Sequence, residues 1–422
     1  MDKFNESSSN DKQQISNGMK LSEELTWRGF VHQTTYQDIT ALDGDPISFY
    51  IGVDPSADSM TIGNLVAMMM VRHFIKHGHK AYMLVGGATG LIGDPDGVST
   101  ERGAINTDDI ENNKKAIAEQ YKQVLAGKDF TVVDNYDWFK DIKYLDFLRD
   151  IGKHVPMSSM LARDFVKSRL GENGSGISYA EFSYSLIQGY DFIHLFRKYN
   201  VTLQLCGADQ WGNSVTGVDL IRRLDNKDVN VYSTPLLVNK STGVKFGKSE
   251  GGAVWLDANK TSVYKYYQFW LNADDSGVID YLKIFTMLGR DEIDKLAKQL
   301  SENPEARLAQ KTLAHEACEL VHGKDRTQSV ERVTDVLFGT ADFMTLKDND
   351  LDMLAAEIPV VSTGKSLINA LVEAKLALSN SDARRLITSG AVSINSKKVL
   401  KDEAINSMAL VKKGKNSFVL VR

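Results

Sequence analysis

Three residues on one helical stripe carry the first chemical signal. In "YAEFSYSLIQGYDF" (179–192), Tyr184, Gln188 and Asp191 recur at i, i+4 and i+7. On a helix they fall within an arc of roughly 60°. A phenol, an amide and a carboxylate on one face suit a pocket that hydrogen-bonds a small polar molecule. The same stripe would also serve as a solvent-facing polar side, and its aromatic neighbours weigh against that reading. A second group lies in "LCGADQWGN" (205–213), where Gly207, Asp209 and Gln210 follow an apolar run. At the carboxyl edge of a sheet, such a carboxylate suits ribose hydroxyls.

Two loops and one lysine pair complete the set. "DPSADSMTIGN" (54–64) runs from Asp54 and Pro55, at the end of an apolar run, into a helix starting near Gly63 or Asn64. A helix N-terminus favours an anion, and Gly63 admits close backbone approach. "LVGGATGLIGDP" (84–95) offers a glycine-rich backbone surface, with Asp94 available to an ammonium or a cation. A tight structural loop is an equal reading of that stretch. It has neither the Lys-Ser/Thr ending of a P-loop nor dinucleotide glycine spacing. In "VKFGKSE" (244–250), Lys245 and Lys248 sit in a Gly-rich loop and suit a polyphosphate whose charge grows in a transition state. Solvated surface lysines are the bland alternative. No metal-ligand cluster and no serine-nucleophile elbow is present, and His73, His77 and His79 read as surface or core residues.

Strand-like runs must position these groups. "ISFYIGV" (47–53), "AYMLVGG" (81–87), "FTVVDN" (130–135) and "VTLQLCG" (201–207) are short, apolar and bounded by turn formers. They alternate with amphipathic stretches, which predicts an α/β fold: a Rossmann-like, doubly wound parallel sheet with helices on both faces. The chain turns helical after about residue 259. The expected division is a disordered tail (1–20), a catalytic domain (21–258), a helical domain (259–350), a linker (351–363) and a small α+β module (364–422).

At 422 residues, 42% hydrophobic and 25% charged, the chain has ample core for two or three domains. No apolar run approaches a membrane span, and the N-terminal residues lack the apolar core of a signal peptide. Two distant cysteines, Cys206 and Cys318, fit a reducing cytoplasm. Charge is uneven. From Gly364 onward eleven Lys or Arg face four Asp or Glu, a surplus of seven on a chain whose overall charge is −5. A basic module on an acidic body suggests a polyanionic partner, although a solvated Lys-rich surface has the same composition.

The module has its own grammar. In "SNSDARRLITSG", Ser379 caps a helix with Asp382 three residues on, and Gly390 ends it. Leu378, Ala383, Leu386 and Ile387 form the expected apolar face. "AVSINSKKV" reads as a strand, an Asn-Ser turn and a strand. Arg384, Arg385, Lys397 and Lys398 then offer a shared basic face. This resembles an S-four-like RNA-binding domain, so those four residues are expected to bind tRNA.

In their order and spacing, "DPSADSMTIGN", "VGGATGLIGDP", "EFSYSLIQGYDF", "GADQWGN" and "KFGKS" resemble the bacterial tyrosyl-tRNA synthetases, which are class I enzymes. The resemblance runs from about residue 24 to the end. It implies a homodimer that uses ATP, Mg2+, L-tyrosine and the tRNA for tyrosine. It further implies that Tyr50 and Asp191 bind the phenolic hydroxyl and that Asp94, Tyr184 and Gln188 bind the ammonium. Gln210 would lie near the carboxylate. Gly52, Asp54, Gly63, Gly207, Asp209 and Lys248 would hold the nucleotide. Lys245, Lys248 and Ser249 match the mobile lysine loop. The departure is at the first signature helix, where Thr61 and Asn64 stand in place of the usual histidines and are expected to serve catalysis as neutral donors. Three other readings stay open: a tryptophan enzyme, a binding-only RNA paralogue and another nucleotidyltransferase of the superfamily.

Overall fold

The computed structural model describes residues 18–95, 106–171, 174–240, 243, 246, 248–249 and 252–422. Six strands form the main sheet: β1 (Gln33–Thr34), β2 (Ser48–Val53), β3 (Lys80–Val85), β4 (Phe130–Asp134), β5 (Val201–Gly207) and β6 (Asn230–Thr234). Their order is β1-β6-β5-β2-β3-β4. Strands β2 to β6 run parallel, and β1 pairs antiparallel with β6. The four apolar runs named above are β2 to β5. Strand β6, "NVYST", was not expected. Its polar residues hide it, yet all but Asn230 are buried.

The sheet grows outward on both sides of β2, with β3 on one flank and β5 on the other. A crevice therefore opens at the carboxyl ends of these strands. Helices Ile62–Lys76, Thr107–Val124, Tyr179–Tyr199 and Trp211–Asp225 connect or precede the strands. Helices Tyr179–Tyr199 and Trp211–Asp225 pack closely because Gly189 and Gly217 face the seam. A Cβ on Gly217 would lie 2.8 Å from Phe192 Cβ.

Two compact units make up the chain: one runs through Thr261 and includes Asn272–Leu313, the other comprises Ser262–Leu271 and Ala314–Arg422. In the first, a buried charge cluster fixes the far end of helix Ile62–Lys76. Glu24 receives Arg28 Nε at 3.1 Å, Lys76 Nζ at 3.2 Å and His77 Nε2 at 2.8 Å. Arg28 also donates to the carbonyls of Lys283, Thr286 and Leu288 at 2.7, 3.0 and 2.8 Å. His73 and His79 are buried, in keeping with a structural role.

In the second unit, a five-stranded sheet orders Lys397–Lys398, Val392–Ile394, Ala409–Lys413, Ser417–Val421 and Val360–Val361. The hairpin turn is at Asn395 and Ser396, both left-handed with φ of 46° and 65°, as a two-residue primed turn requires. Ser379 caps helix Asn380–Thr388 by accepting from Asp382 N at 3.2 Å, and Gly390 follows at φ 71°. Ala383 and Ile387 are buried as expected, but Leu378 is 95% exposed. It precedes the cap and so lies outside the helical period. The stretch expected as a linker is structured. Ala355–Glu357 end helix Asp348–Glu357, and Val360–Val361 pair with the final strand. Pro, Ser, Thr and Gly around that valine pair disguised a strand whose partner lies some sixty residues on.

Burial alone would raise the Glu24 carboxyl, but hydrogen bonds from His73 and His77 and the Lys76 charge hold it far below the usual range. A depressed folded value stabilises above the ordinary glutamate range and is lost as pH falls through it. Glu24→Gln is expected to cost about 3–5 kcal/mol, because it strands Arg28. It should also flatten the acid limb of stability, as read by urea unfolding across pH. An unchanged midpoint would contradict this.

Candidate active site

A cavity of about 600 Å³ opens at the carboxyl ends of β2, β5 and β6. It brings together Tyr50, Gly52, Asp54, Thr61, Gly63, Asn64, Asp94, Tyr184, Gln188, Asp191, Gly207, Asp209 and Gln210, all singled out from sequence. Lys245 lies outside the described residues. Lys248 and Ser249 are described as backbone only, in a short strand paired with Gly252–Ala253. Arg384, Arg385, Lys397 and Lys398 belong to the second unit, where all four are exposed.

The deep end is organised around Asp191, which is 1% exposed. Its Oδ1 accepts from Trp138 Nε1 at 2.9 Å and its Oδ2 from Asn135 Nδ2 at 3.1 Å. Burial pushes its carboxyl well above the ordinary value, and the charges of Asp54 and Asp134 add to the rise. The two donors oppose the rise without cancelling it. Tyr50 is buried beside it and its phenol is pushed up, first by burial and then by the Asp191 charge. Among the described residues, the Tyr50 hydroxyl, Gln188 Oε1, Gln204 Oε1 and the Thr234 hydroxyl are buried polar atoms without a partner. Such atoms at a cavity wall await a ligand or water.

A chain of hydrogen bonds runs from Asp191 to the mouth. Asn135 uses its second amide hydrogen on Thr89 Oγ1 at 3.1 Å, and its Oδ1 accepts from Ala88 N at 2.6 Å. Thr89 donates to Asp54 Oδ1 at 2.6 Å, and Tyr184 donates to Asp54 Oδ2 at 2.6 Å. The glycine-rich stretch makes this closeness possible. A Cβ on Gly86 would sit 2.2 Å from Asp54 Oδ1 and 2.3 Å from Thr89 Oγ1. Opposite, Gln210 Nε2 donates to Asp94 Oδ2. Asn213 supports Gln210 at 3.2 Å, and Arg163 in turn holds Asn213 Oδ1 at 2.5 Å.

Sequence reasoning missed Thr89, Asn135, Trp138 and Gln204. A signal existed for two of them. Asn135 directly follows the carboxyl end of β4, and Gln204 is a lone amide inside an apolar strand, in register with Tyr50. Thr89 and Trp138 act through partners distant in sequence.

Comparison with known proteins fits this geometry. Residues 42–339 match the family model for class I tRNA synthetases (W and Y), and residues 350–422 match that for the SYY-like C-terminal domain of tyrosine–tRNA ligase. The tyrosine–tRNA ligase of Levilactobacillus brevis is 42% identical over 419 residues, covering 96% of this chain and 99% of the relative. That of Bacteroides fragilis is 39% identical over 428 residues, covering 96% and 99%. Among solved structures, a C-terminally truncated mitochondrial tyrosyl-tRNA synthetase from Aspergillus nidulans aligns with TM-score 0.67 and 31% identity, covering 76% of this chain and 95% of that one. The chain thus falls within the class I tRNA synthetases. Inside that class, the chain belongs to the tyrosine–tRNA ligase family.

An acid whose folded pKa is raised costs stability as pH climbs from the ordinary carboxylate range toward that value. Wild type should therefore lose ground against Asp191→Asn as pH rises above the ordinary carboxylate range, as read by thermal unfolding of both proteins. Parallel profiles would contradict an uncompensated buried carboxyl.

Proposed function

We propose that this site activates L-tyrosine with ATP, releasing pyrophosphate, and passes the tyrosyl group to the 3′ end of its tRNA. The deep end carries the reading. Asp191 accepts a hydrogen bond from the substrate hydroxyl, while the buried, neutral Tyr50 hydroxyl donates one to the same oxygen. A phenol both donates and accepts, whereas an indole N–H only donates. The pair therefore favours tyrosine over tryptophan, and it speaks against a binding-only protein, which has no use for it.

Asp94, Tyr184 and Gln188 would take the substrate ammonium, and Gln210 would lie by its carboxylate. Gly52, Asp54, Gly63, Gly207 and Asp209 would surround the nucleotide, with Thr61 and Asn64 at its phosphate end. Lys245, Lys248 and Ser249 would meet the departing pyrophosphate. The Asp54 and Asp94 carboxylates already accept hydrogen bonds from Thr89, Tyr184 and Gln210. Mg2+ is accordingly assigned to the ATP phosphates, as part of the substrate. The tyrosine carboxylate attacks the α-phosphorus and pyrophosphate leaves. A ribose hydroxyl of the tRNA then attacks the activated carbonyl and AMP leaves. No side-chain nucleophile is needed, because positioning and charge stabilisation suffice.

The same reading extends to the architecture. The sheet order on either side of β2 supports a doubly wound, Rossmann-like catalytic domain spanning about 21–258. A helical region (259–350), a structured connection (351–363) made of a helix end and the Val360–Val361 strand, and an S-four-like module (364–422) follow. Tyr144, Leu145, Met157, Leu170 and Tyr179 are 54–75% exposed. That apolar display supports a homodimer. Among the described residues no helix is long and apolar enough to cross a membrane, and the cytoplasm, where tRNA is charged, is the proposed location.

Two measurements test this. Purified protein should catalyse tyrosine-dependent ATP–pyrophosphate exchange; exchange driven equally by phenylalanine or tryptophan would contradict the pocket assignment. Reversing Arg384, Arg385, Lys397 and Lys398 to Glu should leave that exchange intact. tRNA charging should fall at least about tenfold, with a shallower salt dependence. Equal loss of both activities would contradict the division of labour.

A further inference from the structure

The first turn of helix Ile62–Lys76 stands at the nucleotide end of the cavity without a histidine. Its hydrogen bonds determine what remains for a ligand. Asn64 Oδ1 accepts from the Thr61 backbone N–H at 2.9 Å and from the Thr61 hydroxyl at 3.0 Å. Two donors converging on one atom identify it as the amide oxygen, so Nδ2 and its two hydrogens face away from Thr61. Thr61 has one hydroxyl hydrogen, and Asn64 uses it.

The backbone is nearly spent as well. Ile62 N donates to Val254 O at 3.0 Å, and Asn64 N and Leu65 N donate to Thr61 O at 3.0 and 3.1 Å. Among the described residues, Gly63 N–H is the member of this turn left without an acceptor. Gly63 is exposed and lines the cavity, so a ligand can reach the backbone there.

We propose that Thr61 is a positioning residue, and that the donors this corner offers to ATP are the Asn64 amide and the Gly63 N–H. This inference rests on the tyrosine-activating reading above and revises one part of it: Thr61 does not itself donate to the nucleotide. Thr61 orients Asn64 through two bonds, one of which survives any side-chain substitution. The resulting donors are neutral and fixed before ATP arrives, which is the preorganisation that favours a charged transition state.

A double-mutant cycle on the full-length chain decides it, read as both exchange rate and ATP affinity. Asn64→Ala should lower kcat by about 100-fold. Thr61→Val should lower it roughly 3- to 10-fold, and Thr61→Ser should restore it. In the Asn64→Ala background, Thr61→Val should add less than about twofold. An equal loss in both backgrounds would overturn the proposal, since the hydroxyl would then act on ATP directly. Asn64→Asp keeps the acceptor for Thr61 but removes the amide hydrogens. Its thermal midpoint should hold while its rate drops as far as that of Asn64→Ala; a near-wild-type rate would overturn the assignment. A wild type that binds ATP without exchange would refute the activity, while the same cycle on ATP affinity would still decide the roles of Thr61 and Asn64.

Discussion

One costly burial organises the catalytic unit: a carboxyl group sealed at the bottom of the pocket with, among the described residues, only neutral donors bonded to it. Asp191 is held by an indole N–H and an amide N–H, both neutral. Those two donors do not cancel the desolvation, and its carboxyl stays well above the ordinary range. A buried carboxyl with incomplete hydrogen bonding is tolerable when the ligand is meant to complete it. In the proposed function a substrate hydroxyl does so. On that proposal a substrate lacking one would leave Asp191 and Tyr50 unsatisfied, and selectivity would follow from that cost.

Placing the donors imposes the rest of the local architecture. Asn135 must sit just past the end of β4, so that one side chain reaches Asp191, Thr89 and Ala88 at once. Thr89 must in turn reach Asp54, which requires the segment after β3 to press against the end of β2. Only a residue without a side chain fits at Gly86. The deep end and the mouth of the cavity are thus parts of one hydrogen-bonded object. At its far side, the Glu24 cluster anchors the C-terminal end of the helix whose first turn carries Thr61 and Asn64.

Much of this was legible in the chain. The strands β2 to β5 are unbroken apolar runs, and their carboxyl ends are where ligand residues were sought. The stripe of Tyr184, Gln188 and Asp191 was visible because helical spacing is local. The capped helix and the Asn395–Ser396 hairpin were visible for the same reason. What stayed hidden depends on contacts between distant segments. Strand β6 is polar in composition and buried only because the sheet covers it. Val360–Val361 is a strand only once Ser417–Val421 lies beside it. Trp138 and Thr89 look ordinary until Asp191 and Asp54 are placed against them. The glycines of 86–90 were read as either a ligand surface or a tight loop; the structure makes them a spacer that lets Asp54 and Thr89 meet. Thr61 and Asn64 were read as two independent donors, and only their geometry shows that one is spent on the other.

In the proposed site neutral donors, with Asn135 as the hub, hold Asp191 ready for a hydroxyl. Calorimetric binding of tyrosine and of phenylalanine to wild type and to Asn135→Ala tests it most directly. Asn135→Ala should weaken tyrosine by at least about tenfold, as expected when a hydrogen bond to a buried polar group is lost, and should leave phenylalanine nearly unchanged. Equal weakening of both amino acids, or of neither, would contradict it.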